Sequence, residues 1–471
     1  MRAIQKPIHE TVKETESRKS SINIKFIILV SAVAAVGGLM FGYDTAVISG
    51  AEGFIQQRFH LTDVMIGWVV SSLLIGAIIG TAAGGILSDK YGRKKMLFVS
   101  AVFYGIGAIY SAIPSSVAEL VIARLIGGIG VGMAVFLAPL YIAEIAPANW
   151  RGRLGSLDQL AISIGQSVVF FINAAVASQG GQHWNVTTGW RWMLGIGAAP
   201  AILFFLLLFF VKESPRWLEK KGRSQEALQI LNRIHLEEKD AKKELAEIKE
   251  AISQENGTMK DIFKPGLRKA LMIGVVVAFL SQWAGINAIM YYAPKIFQTS
   301  GSNIDSAFMQ TTIMGVVMVV FTVLGLLLMD RVGRTKLISI GTAVMAICLF
   351  GIGLSFSIGQ SSGSLILFFI LLYMAAFMTT IGPGMWVLLS EIFPTRIRGL
   401  AMSISTVALW VADYIVSQIF PALLQDAGPG ITFFIFAAGS AIISVFTIKV
   451  IPETRNKSLE EIERMFIRTA K

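Results

Sequence analysis

The chain is poor in the residues from which most enzymes build their chemistry. Cysteine occurs once, at Cys348, so no disulfide can form within the chain and no thiolate cluster can hold a metal. Histidine occurs at His9, His60, His183 and His235 only, and no two of these stand at metal-ligand spacing. No metal and no cofactor are assigned. Charged residues make up 15% of the chain, against roughly 25% in an ordinary soluble domain. A G-x-x-x-x-G-K-[ST] phosphate loop is absent, which excludes a built-in ATP motor. The first 24 residues are too polar for a secretory leader.

What is present is apolar. Of the 471 residues 54% are hydrophobic and 45 are glycine. A membrane-spanning helix needs roughly 20 apolar residues, and twelve such segments can be read. They lie near 25–50, 63–88, 95–113, 117–143, 154–177, 189–211, 268–294, 307–329, 336–358, 364–390, 398–424 and 430–450. The expected fold is all-α, a polytopic membrane protein of twelve transmembrane helices. A soluble enzyme of this size is excluded.

The net charge of +11 would suit nucleic acid, but its placement points elsewhere. Six of the 41 Lys and Arg fall at or before Lys25, and fourteen fall between Lys212 and Lys269. Others cluster at Lys90 to Lys95, at Arg151 and Arg153, at Arg331 to Lys336, at Arg396 and Arg398, and after Arg455. Counting crossings puts every cluster on one side. The opposite loops hold only Arg58 and Lys295, with Arg191 at a segment edge. Basic excess marks the cytoplasmic side. Both termini and the central loop are therefore expected in the cytoplasm, with lipid rather than nucleic acid as the surrounding partner. Short outer loops suggest a bacterial inner membrane.

Three pieces of sequence occur twice, at one nearly constant offset close to half the chain. GGILSDKYGRKK (84–95) returns as LLLMDRVGRTK (326–336), YIAEIAPANWRGRL (141–154) as LLSEIFPTRIRGL (388–400), and ESPRWL (213–218) as PETRNKSL (452–459). Two pseudo-symmetric halves of six helices follow, in parallel repeat. Transporters built this way hold substrate near the midplane between halves that rock. The expected division is a tail (1–24), a first half (25–211), a linker (212–267), a second half (268–450) and a tail (451–471). In the linker, Ser224 through Ile252 reads as helix, with Leu228, Leu231 and Ile234 on one stripe. It is too small for a catalytic domain, so the chain is not expected to be an enzyme.

The repeated turns contain Asp89, Gly92 and Arg93, then Asp330, Gly333 and Arg334. Glycine permits the tight turn, and each Asp can pair with an arginine. Glu144 with Arg151, and Glu391 with Arg398, are placed to join them. Together these eight charged residues read as a cytoplasmic gate that holds in one access state and breaks in the other. GGIGVG (127–132) lies inside an apolar run with no preceding strand, so it reads as close helix packing. Ionisable residues at membrane depth are costly and default to functional roles. Asp44 and Arg124 stand at comparable depth and can face each other, either as a static ion pair or as a proton-coupling pair. Asp158 can pair with Arg153 near the cytoplasmic end, whereas Asp413 sits mid-segment. The other buried polar groups are amides and aromatics, including Gln159, Gln166, Gln282, Asn287, Tyr291, Tyr292, Trp386 and Trp410. Amides both donate and accept, as a sugar hydroxyl requires. A neutral, polyhydroxylated ligand fits this set.

In GGLMFGYDTAVISG, RLIGGIGVGMAVFLAPLYIAEIAPANWRG, ESPRWL, QWAGINAIMYYAP, GPGMWVLLSEIFPTRIRG and PETRNKSLEEIE, with the two D-x-x-G-R turns, the chain resembles the sugar porter family of the major facilitator superfamily. The resemblance runs along essentially the whole length and is strongest to bacterial arabinose, xylose and galactose–proton symporters. It implies that Asp44 is the proton-linked aspartate and Arg124 its partner. It implies that Gln159, Gln282, Asn287 and Trp386 contact sugar, with Phe41, Gln166, Tyr291 and Trp410 as wall residues; Asp413, mid-segment, joins the substrate-binding candidates on its own position. It also implies a single chain working as a monomer. The alternatives that stay open are a passive sugar facilitator, a polyol symporter such as one for inositol, and a sugar sensor that moves nothing. The chain departs from the family pattern at Ser281 and Leu409, where an amide is usual. It departs also at Met318 and Asp413, where asparagine is usual. Fewer amide contacts shift the expectation from glucose toward a pentose or a differently substituted hexose.

Overall fold

The computed structural model describes residues 22–147, 150–254, 267–393 and 398–453, without the side chains of residues 254, 330, 390 and 398. Twelve of the described helices are long and apolar enough to cross a membrane. They are α1 (Ile24–Phe59), α2 (Asp63–Tyr91), α3 (Arg93–Ala112), α4 (Val117–Ile145), α5 (Arg151–Ala177) and α6 (Gln182–Phe210) in the first half. The second half contains α7 (Leu267–Tyr291), α8 (Ile304–Met329), α9 (Arg334–Ser357), α10 (Gly363–Leu389), α11 (Gly399–Asp426) and α12 (Gly428–Val450). Among the described residues the only β pairing is an isolated bridge between Ile22 and His235. The described fold is all-α, in two six-helix halves.

Local sequence explains where spans begin and end. Thr62, Ser116, Asn303 and Ser362 each accept a hydrogen bond from the backbone N–H three residues on, opening α2, α4, α8 and α10. The turns from α2 to α3 and from α8 to α9 pass through Gly92 (φ 109°) and Gly333 (φ 102°), a backbone region that side chains resist. Phe210, Ile86 and Ile347 are 74%, 75% and 70% exposed. Apolar side chains so open to the surroundings face lipid in a multi-pass membrane protein.

Several boundaries differ from expectation. The first span runs past residue 50 to Phe59, and the sixth starts at Gln182 through a π-helical turn at Asn185–Gly189. The seventh is not one continuous helix. It breaks after Gln282 at Gly285 (φ 84°) and resumes as Ile286–Tyr291 and then Ala293–Thr299. The tenth breaks at Thr380, just before Gly382, Pro383 and Gly384, because proline offers no N–H and crowds the preceding turn. In the linker the expected single helix splits into Ser224–Ile234 and Glu238–Gln254. At the split, Asn23 N–H donates to the Ile234 carbonyl at 2.8 Å and Ile22 bridges to His235.

Glycines set the spacing of α2 and α4. A Cβ on Gly76, Gly80, Gly128 or Gly132 would collide with backbone of the facing helix. The GGIGVG stretch is thus a packing surface, as expected. The two halves meet where α2 runs against α11 and α5 against α8.

Candidate functional site

The close approach of α2 and α4 positions Arg124. Its Nε donates to the Val69 carbonyl at 3.1 Å and one terminal nitrogen donates to Val70 at 3.4 Å. That same terminal nitrogen lies 3.9 Å from the Asp44 Oδ2 carboxylate oxygen. This is ion-pair range but too long for a hydrogen bond. Asp44 Oδ2 is buried and unpartnered. A small cavity lined by Asp44, Arg124, Tyr104, Ser111 and Gly127 lies against the pair. Sequence reasoning paired these two residues, and the structure brings them together.

One residue along α1, Thr45 connects this pair to the interior wall. Gln166 on α5 donates to Thr45 Oγ1 at 3.3 Å and approaches Met290 Sδ at 3.7 Å. It therefore touches both halves, and its Oε1 is buried without a partner. Across from it the break in α7 changes which side chains can meet. Residues five apart on a continuous helix point in different directions, yet Asn287 Nδ2 donates to Gln282 Oε1 at 2.9 Å. The same Nδ2 donates to Asp413 Oδ2 at 2.7 Å. Tyr291 Oη reaches that oxygen at 3.3 Å, and Ser417 Oγ donates to Asp413 Oδ1 at 3.0 Å. Asp413 is 0% exposed, held by neutral donors.

The aromatic candidates also gather here. Phe41 meets Trp410 edge to face with centroids 5.4 Å apart, and the Trp410 indole N–H donates to Thr81 at 3.2 Å across the two halves. Trp386 is half-buried and packs on the core. Gln159 is half-buried, and its backbone carbonyl accepts from the Ser163 hydroxyl at 3.2 Å. Ser163 itself meets Thr322 of α8 at 2.8 Å.

At the linker face, Arg93 rather than Arg151 partners the acids. Arg93 contacts Asp89 at 2.7 Å and Glu144 at 3.0 Å, while Glu213 accepts from the N–H groups of Arg93 and Lys94 at 3.0 and 3.1 Å. Burial pushes the Glu213 carboxyl above the ordinary range, against the pull of those amides. Of the two residues expected to join the turn, Glu144 does so through Arg93, whereas Arg151 is exposed at the start of α5 and Asp89 takes Arg93 and Lys220 instead. The second half repeats the cluster, with Arg334 on Glu391 at 3.0 Å and the Arg334 N–H on Glu453 at 3.0 Å. The side chains of Asp330 and Arg398 lie outside the described residues. Asp158 does not pair with Arg153 either. It is 8% exposed with Oδ1 unpartnered, packed on Gly38, while Arg153 lies over the Trp150 ring.

Sequence reasoning missed the contacts that join the halves at the opposite face. Lys295 bonds Asp63 at 2.9 Å, linking the end of the seventh segment to α2. Gln418 on α11 accepts from Ser71 at 2.8 Å and donates to the Val64 carbonyl at 3.0 Å. The signal was present: Lys295 was one of the few basic residues on the opposite loops, and Asp63 opens α2.

Twelve spans in two repeated halves, enclosing a buried acid–arginine pair beside an amide wall, define a membrane transporter of the major facilitator type. The chain belongs to the sugar transporter family, matching the family described as "Sugar (and other) transporter" over residues 30–466. It is 47% identical over 449 residues to the arabinose–proton symporter of Bacillus subtilis strain 168, covering 95% of this chain and 97% of that protein. To the D-xylose–proton symporter of Escherichia coli K12 it is 39% identical over 476 residues, covering 94% and 96%. The solved partially occluded inward-open conformation of the E. coli xylose transporter XylE superimposes with a TM-score of 0.83 at 38% identity, covering 92% of this chain and 100% of that one. The chain is a transporter and not an enzyme.

Proposed function

We propose that the chain is a proton-coupled monosaccharide symporter, taking up a pentose or hexose of the arabinose, xylose or galactose type by alternating access. The observation that carries this reading is the contact chain from Arg124 and Asp44 (3.9 Å) through Thr45 to Gln166 (3.3 Å). A titratable carboxylate thus stands one residue from the wall of the candidate sugar site. An acid beside a cation holds its charge, and loss of that contact favours protonation. A rocking motion that shortens or lengthens the pair then takes a proton from one side and gives it to the other. Gln159, Gln282, Asn287 and Trp386 serve as sugar contacts, with Phe41, Gln166, Tyr291 and Trp410 walling the site. The names of the arabinose–proton and xylose–proton relatives support the same assignment.

The linker face is the cytoplasmic one in this reading, with both termini there and the protein in a bacterial inner membrane. The contacts of Lys295 and Gln418 then close the outer mouth, as in an inward-facing state. The Arg93 and Arg334 clusters each brace the helix ends of their own half at this face, and serve the gate by rearranging as the halves rock. Residues 25–211 and 268–450 are the rocking units, one chain is the working unit, and lipid surrounds it. A proton gradient supplies ~2.3 kcal/mol per 100 mV and about 1.36 kcal/mol per pH unit. That is enough for accumulation of roughly tenfold or more.

Uptake of labelled pentoses, hexoses and polyols into proteoliposomes, with and without an uncoupler, tests the reading. One monosaccharide is expected to accumulate only while the gradient stands. Accumulation indifferent to the uncoupler identifies a facilitator, preference for inositol a polyol symporter, and no flux at all a sensor; each result overturns the proposal.

A further inference from the structure

Asp413 stands apart from the other acids of the interior. It is 0% exposed, and its two oxygens accept from Asn287, Tyr291 and Ser417. We infer that Asp413 is a positioning residue for substrate specificity, fixing Asn287 so that its carbonyl oxygen faces the ligand as a hydrogen-bond acceptor. This deepens the proposed function and rests on it.

The argument is a count of hydrogens. A primary amide has two N–H donors and one carbonyl acceptor. Both Nδ2 hydrogens of Asn287 are taken, one by Gln282 Oε1 at 2.9 Å and one by Asp413 Oδ2 at 2.7 Å. Asn287 is only half-buried, so Oδ1 is the polar atom it has left to offer. Asp413 accepts from all three of its neighbours, so in this arrangement it is an acceptor only, and turning the Asn287 amide over would set its oxygen against two acceptors. An asparagine at this position could donate from its own Nδ2 and would permit either orientation. Tyr291 is fixed in the same sense, since its single O–H is spent on Asp413 and only its lone pairs remain. Gln282 is complementary. Its Oε1 is occupied and its Nε2 reaches Ser281 at 3.2 Å, which leaves one N–H free. The wall therefore presents an acceptor next to a donor, and one particular sugar hydroxyl must give its proton to the protein.

Deoxy and deoxyfluoro sugars read this directly, because fluorine cannot donate. Once the transported sugar is identified, each monodeoxy and monodeoxyfluoro derivative is measured as a competitor of its uptake. In the unaltered protein, one ring position is expected at which both derivatives compete roughly tenfold worse than the parent, the cost of an unsatisfied buried acceptor. Asp413→Asn, checked for membrane expression, is expected to cut that penalty to about threefold or less while penalties at the other positions persist. Accumulation driven by the proton gradient is expected to survive in the variant, at a reduced rate.

Three results overturn the inference. They are the absence of any such position in the unaltered protein, an unchanged profile in an expressed Asp413→Asn variant, and a variant that exchanges sugar but no longer concentrates it. The last would make Asp413 a proton carrier. The first requires no variant, so failure of the substitution to fold leaves the test intact. A chain that moves no monosaccharide at all refutes the proposed function instead, and the two failures are distinguishable.

Discussion

The two halves hold their central carboxylates in opposite ways. In the first half, Asp44 faces a guanidinium 3.9 Å away, with Oδ2 unpartnered. In the second, Asp413 is ringed by an amide, a phenol and a hydroxyl at 2.7 to 3.3 Å. A group loosely held by a single cation changes protonation when that cation moves. A group satisfied by several neutral donors instead dictates how those donors point. Internal repetition supplied one scaffold twice, yet these two carboxylates sit on non-equivalent helices of it, α1 and α11, in different polar surroundings.

The largest expected effect breaks the comparison on the first side. Asp44→Asn is expected to abolish uphill accumulation while counterflow exchange of labelled sugar continues; retained accumulation would remove Asp44 from coupling. Next comes the cluster at the linker face. The Arg93 and Glu144 side chains are 7% and 6% exposed, so Arg93→Met leaves a buried carboxylate without its cation. A loss of about 3–5 kcal/mol is expected, read as a lowered midpoint of thermal unfolding in detergent. Removing the cation alone should do more harm than removing it together with Glu144.

A smaller effect is expected where α2 and α4 touch. Gly128→Val drives side-chain atoms into the Leu73 carbonyl, at a cost of about 1–3 kcal/mol. Since α4 carries Arg124, transport should fall together with stability. The smallest effect belongs to the opposite face. Lys295 and Asp63 are 25% and 26% exposed, and such pairs contribute roughly 0.2–1 kcal/mol. Lys295→Met should shift the opening equilibrium by no more than about fivefold. The shift is measurable as a change in the apparent affinity for sugar offered from the outer side.

Much of this molecule was legible in its sequence because a bilayer forces helices to be long, apolar and charge-flanked. The twelve spans, the two halves and the Asp44–Arg124 pairing all follow from hydropathy, repetition and the cost of buried charge. What escaped depended on backbone breaks and on competition for partners. Nothing in periodicity showed that the seventh span would kink at Gly285 and let Asn287 turn back to Gln282. Sequence spacing offered Arg151 as a partner for the Asp89 turn and Arg153 for Asp158, but Arg93 and Lys220 take Asp89. Asp158 packs against Gly38, while Arg153 lies over the Trp150 ring. The bond between Lys295 and Asp63 spans the two halves, a proximity that only their packing creates.

The most direct test of the central claim is proton movement itself, followed with an external pH electrode over lightly buffered, de-energised vesicles. Adding the transported sugar to vesicles of the unaltered protein should make the medium alkaline, and the Asp44→Asn protein should give sugar entry without that change. Sugar entry with no alkalinisation in the unaltered protein, or equal alkalinisation in both, would contradict the account.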